Sequence, residues 1–314
     1  MCSPLDGSED ETIRTKRVQF NRGFRRRAAF SLVELLVVIS IMAALAAIMV
    51  PVLGAARRKA YSLVGMTRLK HIAMQLNSFA LENNNYYPPS ISGYPDGTTE
   101  DPRRMTSIYP FTKQYRSMAH YLNGYIEDAT VFHCPSSPEK YPYLNQMWEQ
   151  GDDWICPGKS VESPMSGHFA FFWDYKGVLE LEEGYELFRG PSRPSLGKKQ
   201  SDLLVSDALV ESDQQISPRP PESFSSCEYI PNGTVASSTF VASRWTCEVD
   251  EGLPDIRLKA AFVDTHVETY KAKEAVGLRP ILSYDRHGNP EPWLLGSASG
   301  GSLGRYYLPA SAQP

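Results

Sequence analysis

One carboxylate, Glu34, stands in "AFSLVELLVVISIMAALAAIMVPVL", a run with no other charged side chain. A carboxylate in the apolar part of a membrane-length helix is expensive, roughly 2.5–3.5 kcal/mol for Asp at the centre and less near an end. It has two elementary ways out: to snorkel to the interface, or to pair with a cation, since a desolvated pair is badly damaged when one partner is lost. Other residues able to do chemistry are sparse. Asp207, Asp264 and His266 sit at the ends of strand-like runs, where convergence would make an acid/base or metal set, although acidic residues there commonly cap turns. "CEVDEGLPD" offers Asp250, Glu251 and Asp255 as oxygen ligands for calcium, at a spacing that matches no EF-hand. No nucleophile elbow, HExxH, P-loop or dinucleotide fingerprint is present. The residues point to no catalytic site and to no required cofactor.

The element that positions Glu34 is readable directly. From Leu35 to Ala56 there are 22 residues without a charged side chain. At 1.5 Å per residue they make about 33 Å of helix, enough to cross a ~30 Å hydrocarbon layer. Residues 1–29 hold seven Lys/Arg against four Asp/Glu, whereas the remainder holds 25 against 32. The cluster Arg14, Lys16, Arg17, Arg22, Arg25, Arg26 and Arg27 keeps the N-terminus cytoplasmic, and residues beyond Ala56 face outward, even though Arg57, Arg58 and Lys59 soften the asymmetry. An ordinary secretory signal is the rival reading, with "AALAA" at Ala43–Ala47 as its cleavage site; such a signal has an apolar core of only about 7–15 residues. Net charge −4 and pI near 5.9 give no general attraction to nucleic acid.

Beyond the apolar run, Leu69, Ile72, Leu76 and Phe79 recur at helical spacing among polar residues, so one face is apolar. Asn83–Asn85 and then Pro88 and Pro89 end the helix. The spacing predicts one helix from Phe30 to about Asn84, lipid-soluble over 30–56 and amphipathic over 57–84. Pro51 removes a donor and disfavours helix at Val50, which predicts a kink or a loosened turn, although membrane helices also tolerate proline. Residues 85–314 read as a globular domain whose best strand candidates are 168–175, 202–207, 234–243 and 258–270. The fold class expected is α+β, a long N-terminal helix packed on a mainly antiparallel sheet. "LLGSASGGSLGRYYLP" reads as a flexible tail or an exchanged edge.

A basic leader, a small residue, Phe, Ser, Leu, Val, Glu, an apolar helix and a mid-helix Pro, in that order, resemble the N-terminal cleavage and methylation segment of type IV pilins and of type II secretion pseudopilins. The resemblance covers about the first sixty residues closely and the helix to Asn84 more loosely. It implies that a prepilin peptidase removes residues 1–29 by cutting between Ala29 and Phe30, and methylates the new Phe30 amine. Ala29 stands where the family usually has Gly, which implies slower cleavage. It further implies that Glu34 pairs with the Phe30 ammonium of a neighbouring subunit in a filament, where the family also carries a proline at the position of Pro51. The partners implied are the peptidase, other pilin or pseudopilin subunits and inner-membrane assembly machinery. "NNNYYPP", "VFHCPSS" and "AFVDTHVE" resemble large pilin-like proteins of environmental bacteria, whose C-terminal part often reads FxDGHV; Thr265 replaces that Gly.

Cleavage would remove Cys2 and leave Cys134, Cys156, Cys227 and Cys247, an even set in an oxidising compartment. Four cysteines allow three pairings; the sequence-near bridges Cys134–Cys156 and Cys227–Cys247 are preferred, with free buried thiols as the alternative. No CxxC supports zinc. The reading is therefore a structural filament subunit, single-pass in the inner membrane with a periplasmic domain. The alternative is a membrane-anchored periplasmic binding or hydrolytic domain.

Overall fold

A computed structural model describes residues 31–90, 107–109, 117–133, 144–153, 165–166, 168–181, 184–195, 197, 199–212, 238–242, 245–249, 256–284, 290–292 and 303–313. Helix α1 spans Leu32–Glu82 and contains Pro51. The chain divides into two units, one ending at Val52 and the other running from Leu53.

In the first unit every described residue is solvent-exposed, Leu, Ile and Val side chains included. Nothing inside the unit covers this apolar surface, and by length and composition the helix is able to cross a membrane. Such a run is unlike the core helix of a soluble protein, which would be buried.

The second unit is layered. Among its described strands are β1 (Ser107–Tyr109), β2 (Met165–Ser166), β3 (Phe169–Phe171), β4 (Lys176–Leu181), β5 (Gly184–Arg189), β6 (Leu203–Asp207) and β7 (Val210–Ser212). β8 (Ser238–Ala242), β9 (Trp245–Val249), β10 (Arg257–Phe262), β11 (Val267–Lys271), β12 (Val276–Tyr284), β13 (Pro290–Pro292) and β14 (Leu303–Leu308) follow. A four-stranded sheet runs β11-β10-β6-β3, and a larger one runs β5-β4-β12-β14-β7-β8-β9 with β13 attached to β12. Every pairing described is antiparallel. The unit is α+β, as expected.

The smaller sheet separates two cores. Phe169, Phe171, Val205 and Ala261 face a cluster shared with Leu69, Ile72, Ala73, Leu76 and Ala80 of α1 and with the short helices α2 (Met118–Leu122) and α3 (Leu144–Gln150). Ala170, Leu203, Leu258, Ala260 and Phe262 face the other way, against Leu179, Phe188, Leu278, Tyr306 and Leu308 of the larger sheet. The alternation is that of strands buried on both faces. It breaks at Leu204, which joins the helix-side core beside Val205: Ala261 pairs with Val205 and Phe262 with Leu203, so Leu204 is an extra residue in a bulge.

α1 ends where the asparagines begin. Asn84 and Asn85 take φ of 54° and 63°, and the Asn85 N–H donates to the Ala80 carbonyl at 2.8 Å. Asn tolerates this left-handed geometry, so the last carbonyls are satisfied within the turn. Phe79 is half-buried and meets Tyr121 and Tyr125 edge-on. The expectation for the C-terminus needs correction over 303–308. That segment is neither tail nor edge: β14 lies between β12 and β7, with Tyr306, Tyr307 and Leu308 buried. Tyr and Leu supply the burial that the preceding Gly/Ser composition conceals.

Candidate assembly site

Ser31 stands immediately before α1 and Glu34 is three residues on. The Ser31 N–H donates to Glu34 Oε2 at 2.8 Å, and the Glu34 N–H donates to Ser31 Oγ at 3.1 Å. This is a capping box, in which two helix-end donors are satisfied reciprocally. The carboxylate also lies in the first turn, where the helix dipole favours negative charge. Glu34 is thus held at the helix start rather than wandering from it. The sequence reading missed Ser31, although its signal was there to see: S-x-x-E immediately before an apolar run.

The proposed cut falls on Ala29 and Phe30, which lie outside the described residues. So do Cys134, Cys156 and Cys227, together with Asp250, Glu251 and Asp255. Cys247 lies in β9, opposite Phe240 of β8, with its side chain outside the description. Pro51 lies inside the helix.

Asp207, Asp264 and His266 are not brought together, which corrects the convergence considered for them. Asp207 ends β6 and accepts the Lys259 backbone N–H at 3.0 Å, with Lys259 Nζ at 3.5 Å. Both side chains are buried, so each offsets the other's desolvation. Asp264 and His266 lie in the β10–β11 turn, beside the other end of β6, where Phe262 pairs with Leu203. There Asp264 Oδ1 accepts the His266 N–H at 3.0 Å and faces His266 Nδ1 at 2.5 Å. Partial burial pushes the Asp264 carboxyl up, and the bonds from His266 outweigh it, so it is held below its ordinary value. The His266 ring stacks on Phe262 at 4.3 Å. These contacts organise a hairpin turn, and among the described residues no three His, Cys, Asp or Glu side chains gather as a metal site.

Residues 24–50 match the family model of the prokaryotic N-terminal methylation motif, the signature of type IV pilins and pseudopilins. The chain therefore carries a pilin-type signal followed by an apolar helix, and this supports membrane anchoring and a type IV pilin-like or pseudopilin protein. No curated protein and no solved structure matches it. The motif points to a structural pilin-type subunit.

Proposed function

We propose that this chain is a structural subunit of a type IV pilus-like or secretion-pseudopilus filament. A prepilin peptidase cuts it between Ala29 and Phe30 and methylates the Phe30 amine, and assembly proceeds through α1 with other pilin or pseudopilin subunits and the inner-membrane machinery. Its N-terminus is cytoplasmic and its sheet domain periplasmic before assembly. The reading assigns no cofactor. The observation that carries it is the methylation motif running into a helix whose apolar side chains are all exposed from Leu32 to Leu53, a stretch whose one carboxylate, Glu34, sits at the helix start.

Cleavage creates an ammonium at Phe30, whose charge makes it a stronger partner for the carboxylate than the neutral Ser31 N–H that donates to Glu34 in the uncut chain. In a bundle of apolar helices, a neighbour's ammonium and Glu34 desolvate together, and losing one leaves a buried charge at a cost of roughly 3–5 kcal/mol. Glu34→Ala should therefore insert into membrane as well as wild type or better, begin at Phe30 after processing, and yield no filaments. The measurement is membrane fractionation, N-terminal sequencing and recovery of sheared filaments. Normal filament yield from a correctly processed variant would remove the assembly role. If wild type too forms none, the anchored periplasmic domain becomes the better reading.

A further inference from the structure

We propose that the His133–His168 pair, together with Arg68, is an acid-operated latch between the 68–80 segment of α1 and the sheet domain: proton uptake by the pair loosens the helix from the sheet. The parts come from three places. His133 follows a short 3-10 turn, Ala129–Phe132; His168 immediately precedes β3; Arg68 is on α1. The two imidazoles are 6% and 1% exposed and meet edge-on, with ring centroids 4.7 Å apart. The Arg68 guanidinium donates to the His133 carbonyl at 2.5 Å, and the His168 N–H donates to the Phe132 carbonyl at 2.9 Å. One small knot thus ties α1, the 3-10 turn and the start of β3.

Charges of both signs surround the pair, and Arg68 acts on the Asp128 carboxylate as well as on the rings. Arg68 contributes a fixed cation from α1. Asp128, the cap of the 3-10 turn, accepts the Thr130 N–H on Oδ1 at 2.9 Å and the Thr130 hydroxyl on Oδ2 at 2.6 Å, and Asn145 and Arg68 act on it too. β6, whose Ala208 N–H reaches the His168 carbonyl at 3.4 Å, contributes Asp207, already engaged by Lys259 of β10. His71, three residues along α1 from Arg68, bonds Gln75 at 3.1 Å. Protonating one imidazole puts a buried cation beside a second ring and a guanidinium. Burial first, and Arg68 second, push His133 down to about 4; burial, then His133 and Arg68, hold His168 well below its ordinary value.

The sign of the linkage is fixed by those directions. Both rings are neutral in the fold, whereas in an unfolded or undocked segment they take up protons as pH falls through about 6.5. Docking is therefore full above about pH 6.5 and weakens progressively toward His133's value near 4. Besides Arg68, the seam is fastened by Asn77 Nδ2 to the Val263 carbonyl at 2.8 Å and by the Tyr87 hydroxyl to Asn77 Oδ1 at 2.6 Å. Those two bonds involve no group that titrates in this window, so the acid sensitivity of the seam comes from the histidine pair and, as a lesser contribution the double variant leaves in place, from Asp128, whose carboxyl is raised by burial but held below its ordinary value by its bonds to Thr130 and Asn145 and by Arg68.

The test uses the full chain in detergent micelles. Histidine ring resonances and hydrogen exchange, corrected for intrinsic rates, are followed from pH 7.5 to 3.5. The expected result is a His133 midpoint near 4, with exchange protection over 69–80 falling about tenfold per pH unit per proton taken up while β4 and β12 stay protected. His133→Phe with His168→Phe, which keeps two edge-on aromatic rings, should retain protection over 69–80 at pH 4. The latch is overturned if that double variant loses protection at the wild-type pH, or if wild-type His133 titrates near 6.5 without any change over 69–80. Should the double variant not fold, wild type alone decides: simultaneous loss over 69–80, β4 and β12 is global acid unfolding and sinks the latch, whereas earlier loss over 69–80 at the His133 midpoint supports it.

Discussion

The two halves of α1 use one backbone conformation and bury their side chains in opposite ways. From Leu32 to Leu53 apolar residues surround the helix and all of them are exposed within the fold. From Leu69 to Ala80 they keep to one stripe, and Leu69, Ile72, Ala73, Leu76 and Ala80 are fully buried against the sheet. A helix apolar all round has no polar face to give to water, so its partner must be lipid or other helices. A striped helix has its partner in its own chain. Periodicity, rather than total hydrophobicity, marks where the membrane-compatible part stops.

The largest effect that would break this comparison comes from one substitution made in each half. Leu76→Ala removes buried methyls from the helix-side core and should cost about 2–5 kcal/mol in stability of the sheet domain. Leu45→Ala, at a residue 58% exposed, should leave that stability within about 0.5 kcal/mol of wild type. Denaturant titration of the full chain in micelles, read by near-ultraviolet circular dichroism, measures both. Equal losses would mean that the first half is also packed on the domain.

The same contrast shows what the sequence made legible. α1, its stop at the asparagines, and the strands within 168–175, 202–207 and 258–270 were readable because their patterns are local and strong. The short helices α2 and α3 were not, since five and seven residues are too few to display a helical period. The β4–β5 hairpin escaped because β5 is an edge strand with mostly exposed positions, so its charges hide the alternation. β14 escaped because its partners, β12 and β7, lie far off in sequence. The candidate site divides in the same way: Glu34 was visible as an anomaly, Ser31 only as half of a pair. His133 and His168, separated by an unremarkable stretch, became a pair only through the fold.

An intermediate effect tests whether the start of the first half is set by its cap. Ser31→Ala removes the hydroxyl that accepts the Glu34 N–H, and loss of such a cap costs about 1 kcal/mol. Membrane insertion should be unchanged, because the apolar run is untouched. Filament yield should fall without vanishing, and Ser31→Thr should restore it. A yield as low as that of Glu34→Ala would give Ser31 a role beyond orienting the carboxylate; an undiminished yield would make the cap irrelevant to assembly.

The smallest effect belongs to a place where neither lipid nor core decides, and backbone geometry alone is at issue. Thr265 turns β10 into β11 with φ of 68°, its N–H bonded to the Phe262 carbonyl at 2.9 Å. At the end of α1 the same left-handed region is occupied by Asn84 and Asn85, which tolerate it; a β-branched residue there is strained. The resemblance noted in this segment has Gly at that position, and the turn forms here without it. Thr265→Gly relieves a strain of roughly 1–2 kcal/mol and adds back the conformational entropy of glycine, about 0.5–1 kcal/mol, so a net gain near 0.5–1 kcal/mol is expected. Asn84→Gly, where little strain exists to relieve, should change stability by less. Denaturant midpoints compared at constant slope measure both. If Thr265→Gly were destabilising, the threonine side chain would be contributing contacts that outweigh its strain, and the turn would owe its shape to packing rather than to its backbone.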